Sequence, residues 1–137
     1  MSMQNNLTKT QTATRKVLLI DDDEGIRRML RFALRSAGFD VSMATTGGEA
    51  LAYLDRNAVD AVVLDLGLPD GLGGSVLSWL HKQPEGRVAP AWVVISAQDQ
   101  QDARVKYGPL GKHFLSKPFD PWDLVDLLDT LVAKKDN

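Results

Sequence analysis

The sequence predicts a doubly wound α/β domain: one parallel sheet of five strands, in the order 2-1-3-4-5, with five helices covering both faces. Three observations predict it. Short apolar runs alternate along the chain with segments whose apolar residues recur at helical spacing. Five such strand–helix pairs follow one another from Lys16 onward. The central run, "DAVVLDL" (60–66), is apolar without alternation, as suits a strand buried on both faces. Strands that alternate with helices pair in parallel through right-handed crossovers.

Taken in order, "VLLI" (17–20) is the first strand and a helix follows from about Glu24 to Ala37. Ile26, Met29, Leu30, Ala33 and Leu34 share one face of that helix. Gly38 stands where a helix end favours a left-handed backbone. "FDVSMA" is the second strand, and "GGEALAYLDRN" the second helix, with Ala50, Leu51 and Leu54 inward. The third strand runs through 60–66 into the loop "GLPDGLGG" and the helix "SVLSWLHK". "QPEGRVAP" is a loop punctuated by Pro and Gly. "AWVVIS" is strand four, "DQQDARVKYG" the fourth helix and "HFLS" a short fifth strand. The last helix, "DPWDLVDLLDTLVAKK", has Asp120 as its cap and Pro121 in its first turn. Leu124, Leu127, Leu128 and Leu131 form its expected buried stripe.

The 137 residues suffice for one domain with a real core. Residues 1–14 are polar and aperiodic, so they are expected to form a disordered leader, with the domain over 15–134 and a tail at 135–137. A net charge of -2 argues against binding nucleic acid through the field of the whole molecule. Cysteine is absent, which excludes disulfides, thiolate metal sites and cysteine nucleophiles. No apolar run reaches membrane-span length and the first residues contain no signal-peptide core, so a cytoplasmic location is expected.

In an open parallel sheet, ligands bind outside the carboxyl ends of the strands, where the strand order reverses. Here that crevice lies between strands one and three, which end in Asp21-Asp22-Asp23 and in Asp65. Carboxylates brought together in a partly buried site need compensation to stay ionised. A hard divalent cation supplies it, and Mg²⁺ needs only a few protein oxygens. Strand four ends in Ser96, a hydroxyl able to bond a phosphoryl oxygen, and strand five runs into Lys117-Pro118, which adds a compact positive charge. Acids, a hydroxyl and a lysine on one rim suit phosphoryl transfer.

The segments "LLIDDDEGIRRML", "AGFDV", "ATTGGEAL", "DAVVLDLGLPDG", "VVISA" and "FLSKPF" occur in that order across residues 17–119. Together they make the chain resemble a response-regulator receiver domain of two-component signalling, with its flavodoxin-like sheet. The resemblance implies that Asp65 is the phosphoacceptor, phosphorylated by a sensor histidine kinase or phosphotransfer protein. It implies that Asp22, Asp65 and the backbone carbonyl of Gly67 hold Mg²⁺ directly, with Asp21 acting through a metal-bound water. Ser96 becomes the switch hydroxyl, Phe114 the switch aromatic and Lys117 the partner of the phosphoryl group, and the Lys117–Pro118 bond is expected to be cis. A downstream protein, or a second copy docking on the face of helix four, strand five and helix five, would read the state.

Three features depart from the family pattern. Gly67 replaces the larger residue usual two positions after the acceptor, which leaves Gln98 as the candidate to position the hydrolytic water. "YGPLGKHF" is an unusual approach to strand five. The last helix lacks the arginine-rich pattern of receivers joined to winged-helix DNA-binding domains. The competing reading, a Mg²⁺-dependent phosphohydrolase with Asp65 as nucleophile, resembles the haloacid-dehalogenase pattern, which wants an acid where Gly67 stands. A phosphate-independent interaction domain would not need the acid–hydroxyl–lysine set. Among bland readings, Asp23 and Glu24 serve the helix N-terminus. His81 and His113 are surface or rim residues, and Trp79, Trp92 and Trp122 pack, the last being near enough to the final helix start to border a partner surface. Gly47-Gly48 begins a helix and cradles no phosphate.

Overall fold

A computed structural model describes residues 14–83 and 89–136. The expected leader, apart from Thr14, and most of the loop 83–90 lie outside the described residues. Strands β1 (Arg15–Ile20), β2 (Phe39–Ala44), β3 (Ala61–Asp65), β4 (Ala91–Ser96) and β5 (Phe114–Ser116) alternate with helices α1 (Glu24–Ser36), α2 (Gly47–Arg56), α3 (Gly73–His81), α4 (Gln100–Tyr107) and α5 (Pro121–Asp136). The strands are all parallel and ordered β2-β1-β3-β4-β5, as the sequence predicts.

Side chains on a strand alternate between faces, and here the alternation builds two cores. Leu18, Ile20, Val62, Leu64 and Val94 point into a layer with Ala50 and Leu54 of α2 and with Val76, Leu77 and Leu80 of α3. Their neighbours Val17, Leu19, Ala61, Val63, Val93 and Ile95 point the other way, against Leu30 and Leu34 of α1 and Leu124 and Leu128 of α5. Val17 to Ile20 and Ala61 to Leu64 expose 0% of their surface, so both central strands are covered on both sides. At about 1.5–3 kcal/mol for each large apolar side chain removed from water, these strands are the main stabilising element. They also fix where their carboxyl ends stand.

Several expectations shift by a turn or a face. The strand expected at 60–66 is Ala61–Asp65, so Leu66 belongs to the loop, and β5 begins at Phe114. α3 starts two residues early, at Gly73, without a side-chain cap. A Cβ at Gly73 would lie 2.5 Å from the Leu66 carbonyl oxygen, so glycine alone lets the helix begin against the end of β3. α4 ends at Tyr107, with Gly108 at φ 80° turning the chain away. α5 runs through Asp136, into the expected tail. Its buried stripe is Leu124, Val125, Leu128 and Val132, while Leu127 and Leu131 are half-buried. The helix is rotated toward Val125, and Leu131 lines a hollow with Pro90, Ala91 and His113. Leu51 is half-buried as well, and Met29 of α1 is 43% exposed.

Capping follows the sequence closely. Asp23 accepts from the Ile26 N–H at 3.0 Å, and on α2 the Thr46 hydroxyl accepts from the Glu49 N–H at 3.1 Å while the Glu49 carboxylate accepts from the Thr45 N–H at 2.8 Å. Asp120 accepts from the Trp122 N–H at 2.9 Å. Gly38, just past α1, has φ 93°, the left-handed backbone expected there. Trp79 and Trp92 pack against the first core, whereas Trp122 is 49% exposed. His81 is an exposed residue whose Nε2 meets the Pro109 carbonyl, with its ring edge-on to Trp92. His113 is half-buried on the rim of that same hollow.

Candidate functional site

Asp21 follows β1 directly, Asp65 closes β3, Ser96 closes β4, and Lys117 is the first residue past β5. Parallel pairing brings these four ends to one edge of the sheet, so the topology alone assembles the crevice expected from the sequence. Asp21 (0%), Asp65 (5%) and Ser96 (2%) are the buried polar residues of the described chain. Asp22, next along, is exposed at the mouth. One carboxylate oxygen from each of Asp21, Asp22 and Asp65 lies within 4.8 Å of the other two.

Lys117 Nζ reaches into this cluster, donating to Asp21 Oδ2 at 2.9 Å and lying 3.4 Å from Asp65 Oδ2. The other Asp21 oxygen accepts from the Asp23 N–H at 3.0 Å, and Asp65 Oδ1 accepts from the Gly67 N–H at 3.2 Å. Burial, and after it the charge of Asp21, raises the Asp65 pKa against the opposing pull of Lys117. Burial works against the Lys117 charge too, but the hydrogen bond to Asp21 and the charge of Asp65 outweigh it and hold the ammonium above its ordinary value. Three carboxylates and one ammonium leave a local charge of about -2 at neutral pH. That imbalance, with clustered hard oxygen donors, fits a divalent cation of the Mg²⁺ type, and Asp21, Asp22 and Asp65 are the residues able to hold one.

The remaining predicted residues surround this centre. The Lys117–Pro118 bond is cis. Ser96 Oγ accepts from the Gln98 N–H at 3.0 Å, so the hydroxyl also shapes the turn leaving β4. Phe114 is half-buried, in register with Val94, and packs on the α2–α4 side of the sheet. Gly67 is exposed, and a Cβ there would stand 3.9 Å from Asp65 Oδ1. Any side chain at 67 would therefore flank the Asp65 carboxylate. Gln98 is exposed on the same rim.

Two contributors escaped the sequence reading. Asp70 accepts from the N–H groups of Gly47 (3.1 Å) and Gly48 (2.9 Å) and from that of Leu72 (3.2 Å), tying the β3–α3 loop to the start of α2. These N–H groups, that of Gly48 foremost, hold its carboxyl below the ordinary range. Arg27 Nη1 donates to the Asp21 backbone carbonyl at 2.9 Å, pinning the acidic turn from α1. The "PDG" turn hinted at an acid with a local role, but its partner lies more than twenty residues earlier. Only the fold could reveal it.

A doubly wound sheet with acids gathered at its switch point is the class of α/β domain that handles cations or phosphate at that rim. The sequence profile described as "Response regulator receiver domain" matches residues 17–129. The transcriptional regulatory protein PrrA of Mycobacterium tuberculosis is 34% identical over 127 residues, 92% of this chain and 53% of its own. An uncharacterised 14.6 kDa protein of Leptolyngbya boryana is 30% identical over 112 residues, 82% of this chain and 86% of its own. The chain thus spans most of the second relative, but about half the length of PrrA and of GltR from Pseudomonas aeruginosa (50%). The receiver domain of sensor histidine kinase PA1611 from Pseudomonas aeruginosa, solved with a magnesium ion coordinated in its active-site cleft, superposes with a TM-score of 0.75. It is 27% identical, over 88% of this chain and 99% of that one. A CheY-like receiver from Methanospirillum hungatei gives a TM-score of 0.76 at 23% identity, over 90% and 98% of the two chains, a likeness of fold. The chain belongs to the response-regulator receiver family.

Proposed function

We propose that residues 15–134 act as a phosphoacceptor switch. Asp65 receives a phosphoryl group from the phosphohistidine of a sensor histidine kinase or phosphotransfer protein, in a Mg²⁺-dependent reaction in the cytoplasm. The observation that carries this reading is the position of Lys117 Nζ, 2.9 Å from Asp21 and 3.4 Å from Asp65. It sets a cation beside a carboxylate that can act as nucleophile, where the incoming phosphoryl oxygens would need neutralising.

In this mechanism an Asp65 carboxylate oxygen forms a bond to phosphorus as the phosphorus–nitrogen bond breaks, and the histidine nitrogen keeps the electron pair. Lys117 moves its charge from the Asp65 carboxylate to the phosphoryl oxygens. Mg²⁺, held by Asp22, Asp65 and the Gly67 carbonyl with Asp21 behind a water, would supply charge neutralisation for the same oxygens. The ion in the Pseudomonas receiver's cleft supports that assignment. Attack of water on phosphorus later releases phosphate and restores Asp65. Ser96 and Phe114 then relay the phosphoryl state to the face of α4, β5 and α5, where a downstream protein or a second copy docks.

Labelling tests the assignment. Wild type incubated with acetyl phosphate and Mg²⁺ is expected to gain one acid-stable, hydroxylamine-labile phosphoryl group, and Asp65→Asn none, since an amide is not a nucleophile here. Equal labelling of the variant would refute the reading. Steady release of phosphate from unrelated phosphoesters would favour the hydrolase instead.

A further inference from the structure

Tyr107, the last residue of α4, sends its hydroxyl toward the acidic centre from the far end of that helix. Its side chain is half-buried, with the ring packed against the first core. The hydroxyl donates to the Leu66 carbonyl at 3.3 Å, across forty-one residues of chain. Leu66 is buried, so its carbonyl needs a partner from the protein. The same peptide unit carries the Gly67 N–H, and in a trans peptide the two groups point in opposite directions. That N–H donates to Asp65 Oδ1 at 3.2 Å. One planar amide therefore joins the phenol of Tyr107 to the carboxylate of Asp65.

Close contacts seat both ends of this link. A Cβ at Gly73 would lie 2.5 Å from the Leu66 carbonyl oxygen, so the start of α3 backs directly on the amide. A Cβ at Gly74 would stand 3.3 Å from Tyr107 Cδ1, so the ring lies over bare backbone in the first turn of α3. Lys106 Nζ stands 5.3 Å from the centre of the same ring, a cation over its π face.

We infer that Tyr107 is a positioning residue for the phosphoryl transfer proposed above, on whose assignment of Asp65 this role rests. Its hydroxyl fixes the Leu66–Gly67 amide and, through it, the orientation of the Asp65 carboxylate. With Oδ1 tied to the amide, the carboxylate is kept from turning, and Oδ2 stays toward Lys117, 3.4 Å away. Accepting a hydrogen bond at its carbonyl also polarises the amide and strengthens its N–H as a donor, by about 10–30% per bond. Without the hydroxyl the carboxylate is free to swing, and a misplaced reacting group loses rate. α4 is thereby tied to the centre at both ends, following Ser96 at its start and holding the amide at its finish.

Tyr107→Phe tests this on the full chain, because it keeps the ring over Gly74 and deletes the hydroxyl alone. Without Mg²⁺ or a phosphoryl donor, the Gly67 amide proton resonance should move upfield, as its bond to Asp65 weakens. The ring is retained, so its shielding of nearby protons is nearly unchanged. With acetyl phosphate and saturating Mg²⁺, labelling of Asp65 should slow about three- to tenfold, the scale of one lost hydrogen bond. Gly74→Ala, whose Cβ must push the ring by a few tenths of an ångström, should slow labelling when Tyr107 is present. In the Tyr107→Phe background it should have no effect, since its influence passes through the hydroxyl. An unmoved Gly67 resonance would overturn the inference whether or not Asp65 is the acceptor. Labelling of Tyr107→Phe at the wild-type rate, or a Gly74→Ala effect that persists without the hydroxyl, would equally overturn it. A wild type that takes no label would instead sink the phosphoacceptor reading, and the Gly67 resonance then decides the amide link alone.

Discussion

Replacing Asp65 by asparagine should stabilise the metal-free protein while abolishing its chemistry. The change keeps the shape of the side chain and the hydrogen bond from the Gly67 N–H to Oδ1. It removes a charge from a group only 5% exposed. Apart from repulsion by the exposed, water-screened Asp22, which acts in the same direction as that by Asp21, three energies are deleted with that charge. At an effective dielectric constant of about 20, repulsion by an Asp21 oxygen within 4.8 Å is at least about 3.5 kcal/mol, and attraction by Lys117 at 3.4 Å is about 5 kcal/mol. These nearly cancel. The third, the cost of holding a carboxylate out of water, amounts to several kcal/mol even after relaxation and decides the sign. A net gain of about 1–3 kcal/mol is expected, or a midpoint rise of roughly 3–12 °C for a chain of this size.

The pH dependence carries the same sign. The Asp65 pKa is raised in the folded state by burial and then by Asp21, so the fold binds its proton more tightly than the unfolded chain does. Wild-type stability is then lost as pH rises from the ordinary aspartate range through the raised value, and regained as pH falls. Asp65→Asn lacks this step, so its advantage should be full at pH 7 and shrink on acidification. Urea unfolding of both proteins in EDTA, from pH 7 down to pH 4, measures the difference, with all other titrating groups common to the pair. A variant no more stable than wild type at pH 7, or an advantage that does not narrow at lower pH, would refute the reasoning.

Three more outcomes are expected. Asp22→Ala should weaken Mg²⁺ binding at least about tenfold by calorimetry, since one of three clustered carboxylates is lost; unchanged affinity would exclude it as a ligand. Gly67→Met should lengthen the lifetime of the phosphorylated form, because a side chain there starts 3.9 Å from Asp65 Oδ1, and Gln98→Ala should alter it too; equal decay of label in all three proteins would show that neither residue governs the water. Adding a phosphoryl mimic should shift amide resonances between Ser96 and Phe119, and an unchanged spectrum there would disprove the relay.

What the sequence reveals is what runs with the chain's own period. Uninterrupted apolar runs at 17–20 and 61–64 give the central strands, and strand order then places Asp21, Asp65, Ser96 and Lys117 on one edge without any knowledge of distances. Contacts across long separations are silent in such a reading. Asp70 caps a helix that begins twenty-three residues earlier, and Lys117 Nζ bonds Asp21 across ninety-six residues. Helix rotation is equally hard to read where apolar residues outnumber the buried positions. α5 carries leucine or valine at 124, 125, 127, 128, 131 and 132, more than one face can bury, and Val125 and Val132 go inward while Leu127 and Leu131 stay half-covered. Gly73 looks like loop chemistry until the Leu66 carbonyl is seen 2.5 Å from where its Cβ would be.

The thinnest strand leads into the compensating charge. β5 is three residues long, pairs only with β4 and leaves Phe114 and Leu115 half-buried and Ser116 exposed. Yet it delivers Lys117, which compensates Asp21 and Asp65. β1 and β3, which carry the acids, are closed on both faces and have nowhere to move. A change of charge at Asp65 therefore alters the force on Lys117 far more easily than it displaces the acids. The same strand bears Phe114 and lies near α4, whose Val105 is 83% exposed. Strain arising in a rigid acidic centre is thus expected to be relieved at the thin edge of the sheet, which is the physical reason to look there for the surface that partners read.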